Sequence, residues 1–494
     1  MCFHRFSQQQ WYNKPRSLGA MIKVRIDSMK TKEGFVLRTI AGKNIVVAVG
    51  KRATEFRGMI VLNNISARIW EFLQEDMNFD ELLAYILSIY DIDEETAGSD
   101  IKKLIDQLIS SGVIEHSMAV DMINTAWISD DSALAACAAG MHVPFIGMFE
   151  LTARCNFRCK MCYIHMSAAE ISACNAKELT TKQWLYLAEQ AVNAGTLYLT
   201  LTGGEPLIRD DFEEIYTALS TMGFRLSVNT NASLITPKFE RMFLKYPPNS
   251  MLVTLYGADA ETYHKVCGNP SVYNNVIKGL EFTAELPTKL QIRATFIKDN
   301  KDQLKKLRDI ATRFKSDLGI NPFVNMPLPG VSTDVESCRL SVGECMDVLE
   351  EQAAYYDKLS KNSEQKKAAV NNAFDGIGLD KRQGNEQGLD VYPGILRCQA
   401  SKSMYHIKWD GKMYPCVAFL SPYTLPLGEG FREAWERLPD LLKDLRHPKK
   451  CSACECSDRC TVCPARVEAE TGSFDEASDY ICSIVKEMAV RFEK

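Results

Sequence analysis

Three cysteines on one short loop constrain this chain more than any other feature. Cys155-Asn-Phe-Arg-Cys159-Lys-Met-Cys162 spaces its thiols by three and then two residues, so all three can converge on a single iron–sulfur cube. A cubane [4Fe–4S] cluster normally takes four Cys ligands. No fourth cysteine follows at close spacing, since the next is Cys174. The spacing therefore predicts one iron left open to a ligand that is not protein. Zinc is the competing occupant, but zinc sites usually show two paired Cys or Cys/His clusters, and no partner pair lies nearby.

Tyr163 follows the third cysteine directly. This spacing with an aromatic residue next resembles the signature of the radical S-adenosylmethionine (SAM) enzymes. The resemblance implies that the amino and carboxylate groups of SAM chelate the open iron, with Tyr163 among the residues lining the cofactor.

Length and composition narrow the field around that loop. At 494 residues the expectation is about three domains. An apolar fraction of 46% and a charged fraction of 24% describe an ordinary globular protein. A net charge of −5 gives no argument for a nucleic-acid or membrane partner. The start, Met1-Cys-Phe-His-Arg-Phe-Ser-Gln-Gln-Gln, lacks the apolar core of a secretory signal. The longest apolar-looking run, 133–151, is broken by His142 and Pro144 and is too short to span a bilayer. A cytoplasmic protein is expected.

Seventeen cysteines without a signal peptide argue for metal ligation over a disulfide framework. Ten fall in two clusters, 155–162 and 398–482 with Cys456 set aside. Cys2, Cys137, Cys174, Cys267, Cys338 and Cys345 are scattered and read as small buried hydrophobes.

Residues 1–21 are polar and read as a loose arm. Gly34–Ile40 and Lys43–Gly50 are β-rich runs joined by Ala41-Gly42, a hairpin signal. A third strand, Gly58–Leu62, leads into a helix that Asn64 is placed to cap, with Ile65, Ile69, Trp70 and Phe72 apolar. Helices over Asn78–Tyr90 and Ala97–Ser111 follow, the last stopped by Gly112. Three strands and then three helices, with the Leu62-Asn63-x-x-Ser-x-x-Ile-Trp70 run, resemble the small PqqD-like recognition domain of peptide-modifying enzymes. The resemblance covers 22–115. It implies that a leader peptide adds as a strand beside Gly58–Leu62, against the Ala97–Ser111 helix, by sheet-edge augmentation. The competing reading is a winged helix of another purpose, DNA binding included, but no basic recognition helix is apparent.

Residues 116–142 are rich in small residues and read as a connector. From Pro144–Leu151 onward, strands and helices alternate, which argues for βα units with parallel strands. Thr180 caps a helix to Ala194. Further strands are expected at Thr196–Leu201, Arg225–Asn231, Ser250–Gly257, Lys289–Ile297 and Asn321–Met326. The second of these six strands ends in Gly203-Gly204-Glu205-Pro206. In the radical SAM family this segment binds the SAM amino group, by backbone carbonyl and the Glu205 carboxylate. Glycine lets backbone approach a ligand closely. Active sites of parallel barrels gather at the C-terminal ends of the strands, where Cys155, Glu205, Asn229 and Thr254 all fall. The resemblance implies that Asn229 and Thr254 face the ribose or carboxylate of SAM. Residues 331–397 are helical and charged, then Gly-rich, with no visible chemistry.

The last cluster runs Cys398, Gly411-x4-Cys416, Cys451-x2-Cys454-x5-Cys460-x2-Cys463 and Cys482. It resembles the SPASM pattern, which holds two auxiliary [4Fe–4S] clusters, except that the family usually has three residues where Cys460 and Cys463 have two between them. The resemblance implies Cys398, Cys416 and Cys463 on the first auxiliary cluster and Cys451, Cys454, Cys460 and Cys482 on the second. The first lacks a fourth ligand, since Met404 fills the position after Cys398. An open iron there, or Cys456 or His406, would complete it. Zinc is the minority reading, and seven cysteines are too many for one tetrahedral ion.

The expected fold is α/β: a partial (β/α)6 TIM-like barrel at 143–330, an N-terminal winged-helix-like α+β domain at 22–115, and a C-terminal cysteine-rich iron–sulfur domain at 398–494. Connectors occupy 116–142 and 331–397. The resemblances together imply a maturase of a ribosomally made peptide, similar to the sactipeptide and ranthipeptide synthases and supplied with electrons by a flavodoxin or ferredoxin. A Cys thioether is the first expectation, with carbon–carbon crosslinking, epimerisation and formylglycine formation behind it. A non-catalytic iron–sulfur carrier is the different class. No catalytic acid or base stands out from the sequence.

Overall fold

Ala41 and Gly42 both adopt positive φ, 50° and 69°, as a tight two-residue hairpin turn requires. They join β2 (Phe35–Ile40) to β3 (Lys43–Ala48), which pair antiparallel from Phe35↔Ala48 to Ile40↔Lys43. The computed structural model describes residues 29–116 (57 and 76 excepted), 132–359 (175 excepted) and 398–492 (447, 457–459 and 461–462 excepted). The arm at 1–21, residues 117–131 of the first connector and 360–397 of the second lie outside the described residues.

Contacts divide the chain into two compact units, Met1–Lys32 with Arg68–Thr125, and Glu33–Ala67 with Ala126–Lys494. In the first, β1 (Met29–Thr31) pairs antiparallel with β5 (Ile114–His116). Two helices pack beside this ribbon. Phe79–Ile89 starts on a reciprocal capping box between Asn78 and Glu81. Glu94–Ser110 starts earlier than the sequence suggests, because Asp93 accepts the Thr96 N–H at 2.8 Å. Ala97, Ile101, Ile105 and Leu108 form its buried stripe, and Gly112 ends it with φ 70°.

In the second unit β4 (Ile60–Leu62) pairs with β3, so the sheet order is β2-β3-β4 and β4 is an edge strand. The helix after it begins at Asn64, and the cap is Asn63, whose carbonyl oxygen accepts the Ser66 N–H at 2.7 Å. The reading of Asn64 as cap is off by one residue. The small-residue connector ends in a helix, Ser132–Gly140. Its Ala138 packs with Ile40, Ile45, Val47, Met59, Phe145 and Leu197.

The large sheet has the order β11-β10-β9-β8-β7-β6-β12-β13. Six parallel strands form the partial barrel: β6 (Ile146–Glu150), β7 (Tyr198–Thr202), β8 (Arg225–Thr230), β9 (Ser250–Thr254), β10 (Lys289–Thr295) and β11 (Leu318–Asn321). The sixth strand stands earlier than the expected 321–326. Pro322 cannot donate to the ladder, so the strand ends before it and 322–326 becomes a loop. Beyond β6, two strands from the cysteine-rich C-terminus continue the sheet. β12 (Met404–Ile407) runs parallel to β6 and β13 (Met413–Tyr414) antiparallel to β12.

The helix Thr181–Ala194, capped reciprocally by Thr180 and Gln183 and stopped by Gly195 at φ 108°, buries Trp184, Leu187, Ala188 and Ala191. These pack on Phe149, Leu199, Leu201, Val228, Tyr405 and Ile407 of the sheet. Strand residues alternate, so Met148, Glu150, Asn229 and His406 face the other, concave side. Among the described residues no helix is long and apolar enough to cross a membrane.

Candidate functional site

The cysteine loop leaves the C-terminal end of β6 and is held on both sides by backbone. Gly204 and Glu205 donate their N–H groups to the Thr152 and Arg154 carbonyls at 2.8 and 2.9 Å. Arg158 and Lys160 donate to Cys267 and Val266 at 3.2 and 3.0 Å. Arg154 forks onto Glu178 at 3.0 and 2.9 Å, and Thr152 donates to Glu178 as well. The Asn156 amide bridges Ser233 and Asn231 at 2.8 and 2.9 Å.

Two of the three sulfurs already receive backbone N–H groups, Cys155 from Phe157 at 3.4 Å and Cys162 from His165 at 3.2 Å. Burial raises all three thiols above the ordinary thiol range, Cys162 to about 12, with Cys267 as first cause at Cys159. Metal ligation must therefore displace their protons. Among the described residues, no group of three His, Cys, Asp or Glu side chains is placed to hold a single metal ion. Three sulfurs around a loop, with N–H donors aimed at two of them, suit the wider iron–sulfur cube.

The Gly-Gly-Glu-Pro segment follows β7 and touches this loop. A side chain on Gly203, whose φ is 152°, would meet the Thr152 carbonyl oxygen at 2.5 Å, and one on Gly204 would collide with that of Arg154. Glycine is needed for this approach of two backbones. Glu205 is fully buried, and both its oxygens are engaged inside the protein. Oε1 accepts from Leu207 N–H at 3.1 Å and Thr230 Oγ1 at 2.8 Å, and Oε2 from Asn231 N–H at 2.7 Å. Glu205 thus ties the end of β7 to the end of β8, and Asn231 in turn reaches Asn156 of the cysteine loop.

Burial outweighs those hydrogen bonds and raises the Glu205 carboxyl to about 7. The sign follows: a raised acid stabilises the fold below its unfolded pKa and loses that contribution as pH rises through the folded value. Without SAM, unfolding free energy should fall by about 3 kcal/mol between pH 4.5 and about 7. Glu205→Gln should flatten that fall in a denaturation series.

Asn229 and Thr254 sit half-buried at the C-terminal ends of β8 and β9. Tyr163 lines a narrow pocket with Met326, Leu328, Ala418 and Arg466. A wider cleft shares Asn325, Met326, Arg466 and Ala469 with it and continues to Cys460 and Cys463. Space therefore leads from the cysteine loop towards the C-terminal cysteines. Sequence reading missed Asn325, Met326 and Arg466, having placed the first two in a strand. Pro322 and Pro327 around them are the signal for a loop.

The C-terminal cysteines sort into two electrostatic neighbourhoods. Cys463 acts on Cys398 and Cys416, and Cys398 acts on Cys416. Cys482 and Cys454 act on Cys451, and Cys482, Cys451, Cys454 and Cys456 on Cys460. Cys456 lies with the second set. His406 is on β12, its Nε2 3.4 Å from Glu150.

Residues 149–311 match the radical SAM superfamily. The chain carries a radical SAM domain. Residues 46–114 match coenzyme PQQ synthesis protein D (PqqD), so a PqqD domain precedes it. Among curated relatives, the AdoMet-dependent heme synthase of Methanosarcina barkeri is 27% identical over 69% of this chain and 96% of its own length. The mycofactocin maturase MftC of Mycolicibacterium smegmatis is 24% identical, over 64% and 76%. Streptococcus suis SuiB bound to its precursor peptide SuiA superposes with a TM-score of 0.55 at 16% identity, covering 92% of this chain and 99% of that one. That likeness concerns the fold around the radical SAM domain.

Proposed function

We propose that this chain is a radical SAM maturase of a ribosomally made peptide, forming an oxidative crosslink, with a Cys thioether as its product. The observation that carries the reading is one radical SAM domain joined, in one chain, to a PqqD domain and to eight C-terminal cysteines in two neighbourhoods. Cys155, Cys159 and Cys162 hold the cluster on which SAM binds. Gly203, Gly204 and Pro206 present backbone to SAM, and Glu205 fixes the geometry of that backbone. Tyr163, Asn229 and Thr254 line the same concave end. When bound, cluster and SAM supply a 5′-deoxyadenosyl radical, which removes a hydrogen atom from the substrate.

Cys398, Cys416 and Cys463 hold a first auxiliary cluster and Cys451, Cys454, Cys460 and Cys482 a second, giving the surplus electron of an oxidation a place to go. A flavodoxin or ferredoxin supplies the reducing electron. The leader adds along β4, whose outer edge carries no partner strand in its sheet among the described residues and beside which Val61 and Ile65 are exposed. In domain terms, 22–115 recognises, 143–330 generates the radical and 398–494 holds the auxiliary clusters, with 116–142 and 331–397 as connectors.

Anaerobic co-expression with a short Cys-bearing peptide encoded beside the gene tests this. The expected result is loss of a pair of hydrogens per modified site with fewer alkylatable thiols. Lost hydrogens with every thiol free would replace the thioether by a carbon–carbon link. Deuterium gained from heavy water without that loss would mean epimerisation. A tetrapyrrole-converting enzyme is the second reading, favoured by the heme synthase relative. An untouched peptide together with conversion of an iron porphyrin would establish it instead.

A further inference from the structure

The three sulfurs of the cysteine loop do not share the same surroundings. Cys155 and Cys162 receive the N–H groups of Phe157 and His165, whereas Cys159 is buried in the core beneath the loop, 9% exposed. The helix Ala260–Cys267 ends at this point. The last carbonyls of a helix lack partners inside it, and the loop takes two of them. Cys267 accepts the Arg158 N–H at 3.2 Å and Val266 the Lys160 N–H at 3.0 Å. The two bonds flank Cys159, so its residue is set against the helix end, and Cys267 and Val266 share its apolar cluster.

Tyr256 stands at the same place. It follows β9, and Asn300 Nδ2 donates to its carbonyl at 2.9 Å while its own N–H donates to the Tyr263 hydroxyl at 3.4 Å. Its ring lies edge-on to Phe157 of the loop, centroids 6.0 Å apart, and to Tyr263 of the helix at 6.3 Å. Backbone and ring are thus both fixed. The side chains of Cys267 and Tyr256 are hydrogen-bonding neighbours of the Cys159 sulfur.

We propose that Tyr256 and Cys267 are positioning residues that donate hydrogen bonds to the Cys159 sulfur and thereby set the reduction potential of the cluster the loop holds. This rests on reading Cys155, Cys159 and Cys162 as the ligands, and not on the peptide reading. Both protons are available. Ligation removes the proton of Cys159, which leaves the Cys267 S–H as the donor of that pair. Burial, and then the charges of Cys159, Cys267, Cys155 and Cys162, hold the Tyr256 hydroxyl well above its usual pKa, so it keeps its proton.

Hydrogen bonds to the sulfurs are among the determinants of a cluster's potential. The sign follows from charge. An added electron makes the sulfurs more negative, and donors aimed at them stabilise that state more than the oxidised one. Tyr256 and Cys267 therefore raise the potential, towards the reach of a one-electron donor. The competing role for a tyrosine and a cysteine in a core is packing alone. Tyr256→Phe and Cys267→Ser separate the two, because the first keeps the ring without the donor and the second keeps a donor.

Redox titration of the iron-loaded full chain, followed by electron paramagnetic resonance, tests the assignment. The signal that changes shape when SAM is added belongs to the loop. Its midpoint should fall in Tyr256→Phe and in Cys267→Ala, with about tenfold less reduced form relative to oxidised at a fixed potential, 59 mV for a one-electron couple. Cys267→Ser should stay near wild type, and the signals that SAM leaves alone should not move in any variant. An unmoved midpoint in either Tyr256→Phe or Cys267→Ala would strike that residue, and in both would overturn the proposal. A shift shared by every signal, or Cys267→Ser falling as far as Cys267→Ala, would return the residues to packing. A wild type without a SAM-responsive signal would instead remove the ligand reading of the loop, and this assignment with it. Where Cys267→Ala does not retain iron, Tyr256→Phe decides alone.

Discussion

Cys155→Ala, Cys159→Ala and Cys162→Ala should each abolish 5′-deoxyadenosine formation from SAM under reducing, anaerobic conditions, a loss of at least about a millionfold on the scale of enzymatic acceleration. The chain should still fold. The loop is anchored by backbone bonds to Thr152, Arg154, Val266 and Cys267 and by the Arg154–Glu178 pair, none of which needs a sulfur. Phe157 and Met161 keep the loop in the core. The matching control is Cys451→Ala in the second C-terminal neighbourhood. It should lower iron content per chain yet leave peptide-free SAM cleavage intact. Iron analysis with chromatography of 5′-deoxyadenosine reads both. Continued SAM cleavage in the loop variants would leave the chain as a cluster carrier at most.

Where information is local, the fold was legible in the residues. The Thr180 cap, the helix from Asn78, the Ala41-Gly42 turn and the stop at Gly112 are chemistry within one turn of chain. Elements set by distant partners were not. β12 and β13 are four and two residues long, and only pairing, of β12 with β6 and of β13 with β12, makes them strands. Cysteine spacing marked the loop, but spacing cannot show that Glu205 spends its carboxylate on Thr230 and Asn231. Nor can it show that Glu150 and His406, 256 positions apart in sequence, face each other. A lone histidine in Met404-Tyr-His-Ile407 reads as one strand residue among others.

Arg38→Met should destabilise the second unit by about 3 kcal/mol or more. Arg38 is 6% exposed, an unusual place for a guanidinium on a hairpin. Nη2 donates to the carbonyls of Val192 and Thr196 at 2.9 and 2.8 Å, and Nη1 to those of Gly223 and Met222 at 3.0 and 3.4 Å. These carbonyls lie at the C-terminal ends of the helices Thr181–Ala194 and Phe212–Thr221. A helix leaves its last carbonyls unpaired and carries partial negative charge there. One cation thus satisfies two helix ends and fastens β2 to the barrel. Burial lowers its pKa only to about 10, so it stays charged at neutral pH. Methionine would fill the space and leave the carbonyls unpaired, whereas lysine, without the planar fork, would satisfy fewer of them. Denaturant midpoints should therefore fall in the order wild type, Arg38→Lys, Arg38→Met. A wild-type midpoint for Arg38→Met would show that water replaces the guanidinium at both helix ends. Because β2, β3 and β4 form one sheet, loosening β2 also loosens the edge on which the leader is proposed to dock. Arg38→Lys should accordingly weaken peptide binding more than it slows peptide-free SAM cleavage, which depends on the opposite end of β7 and β8.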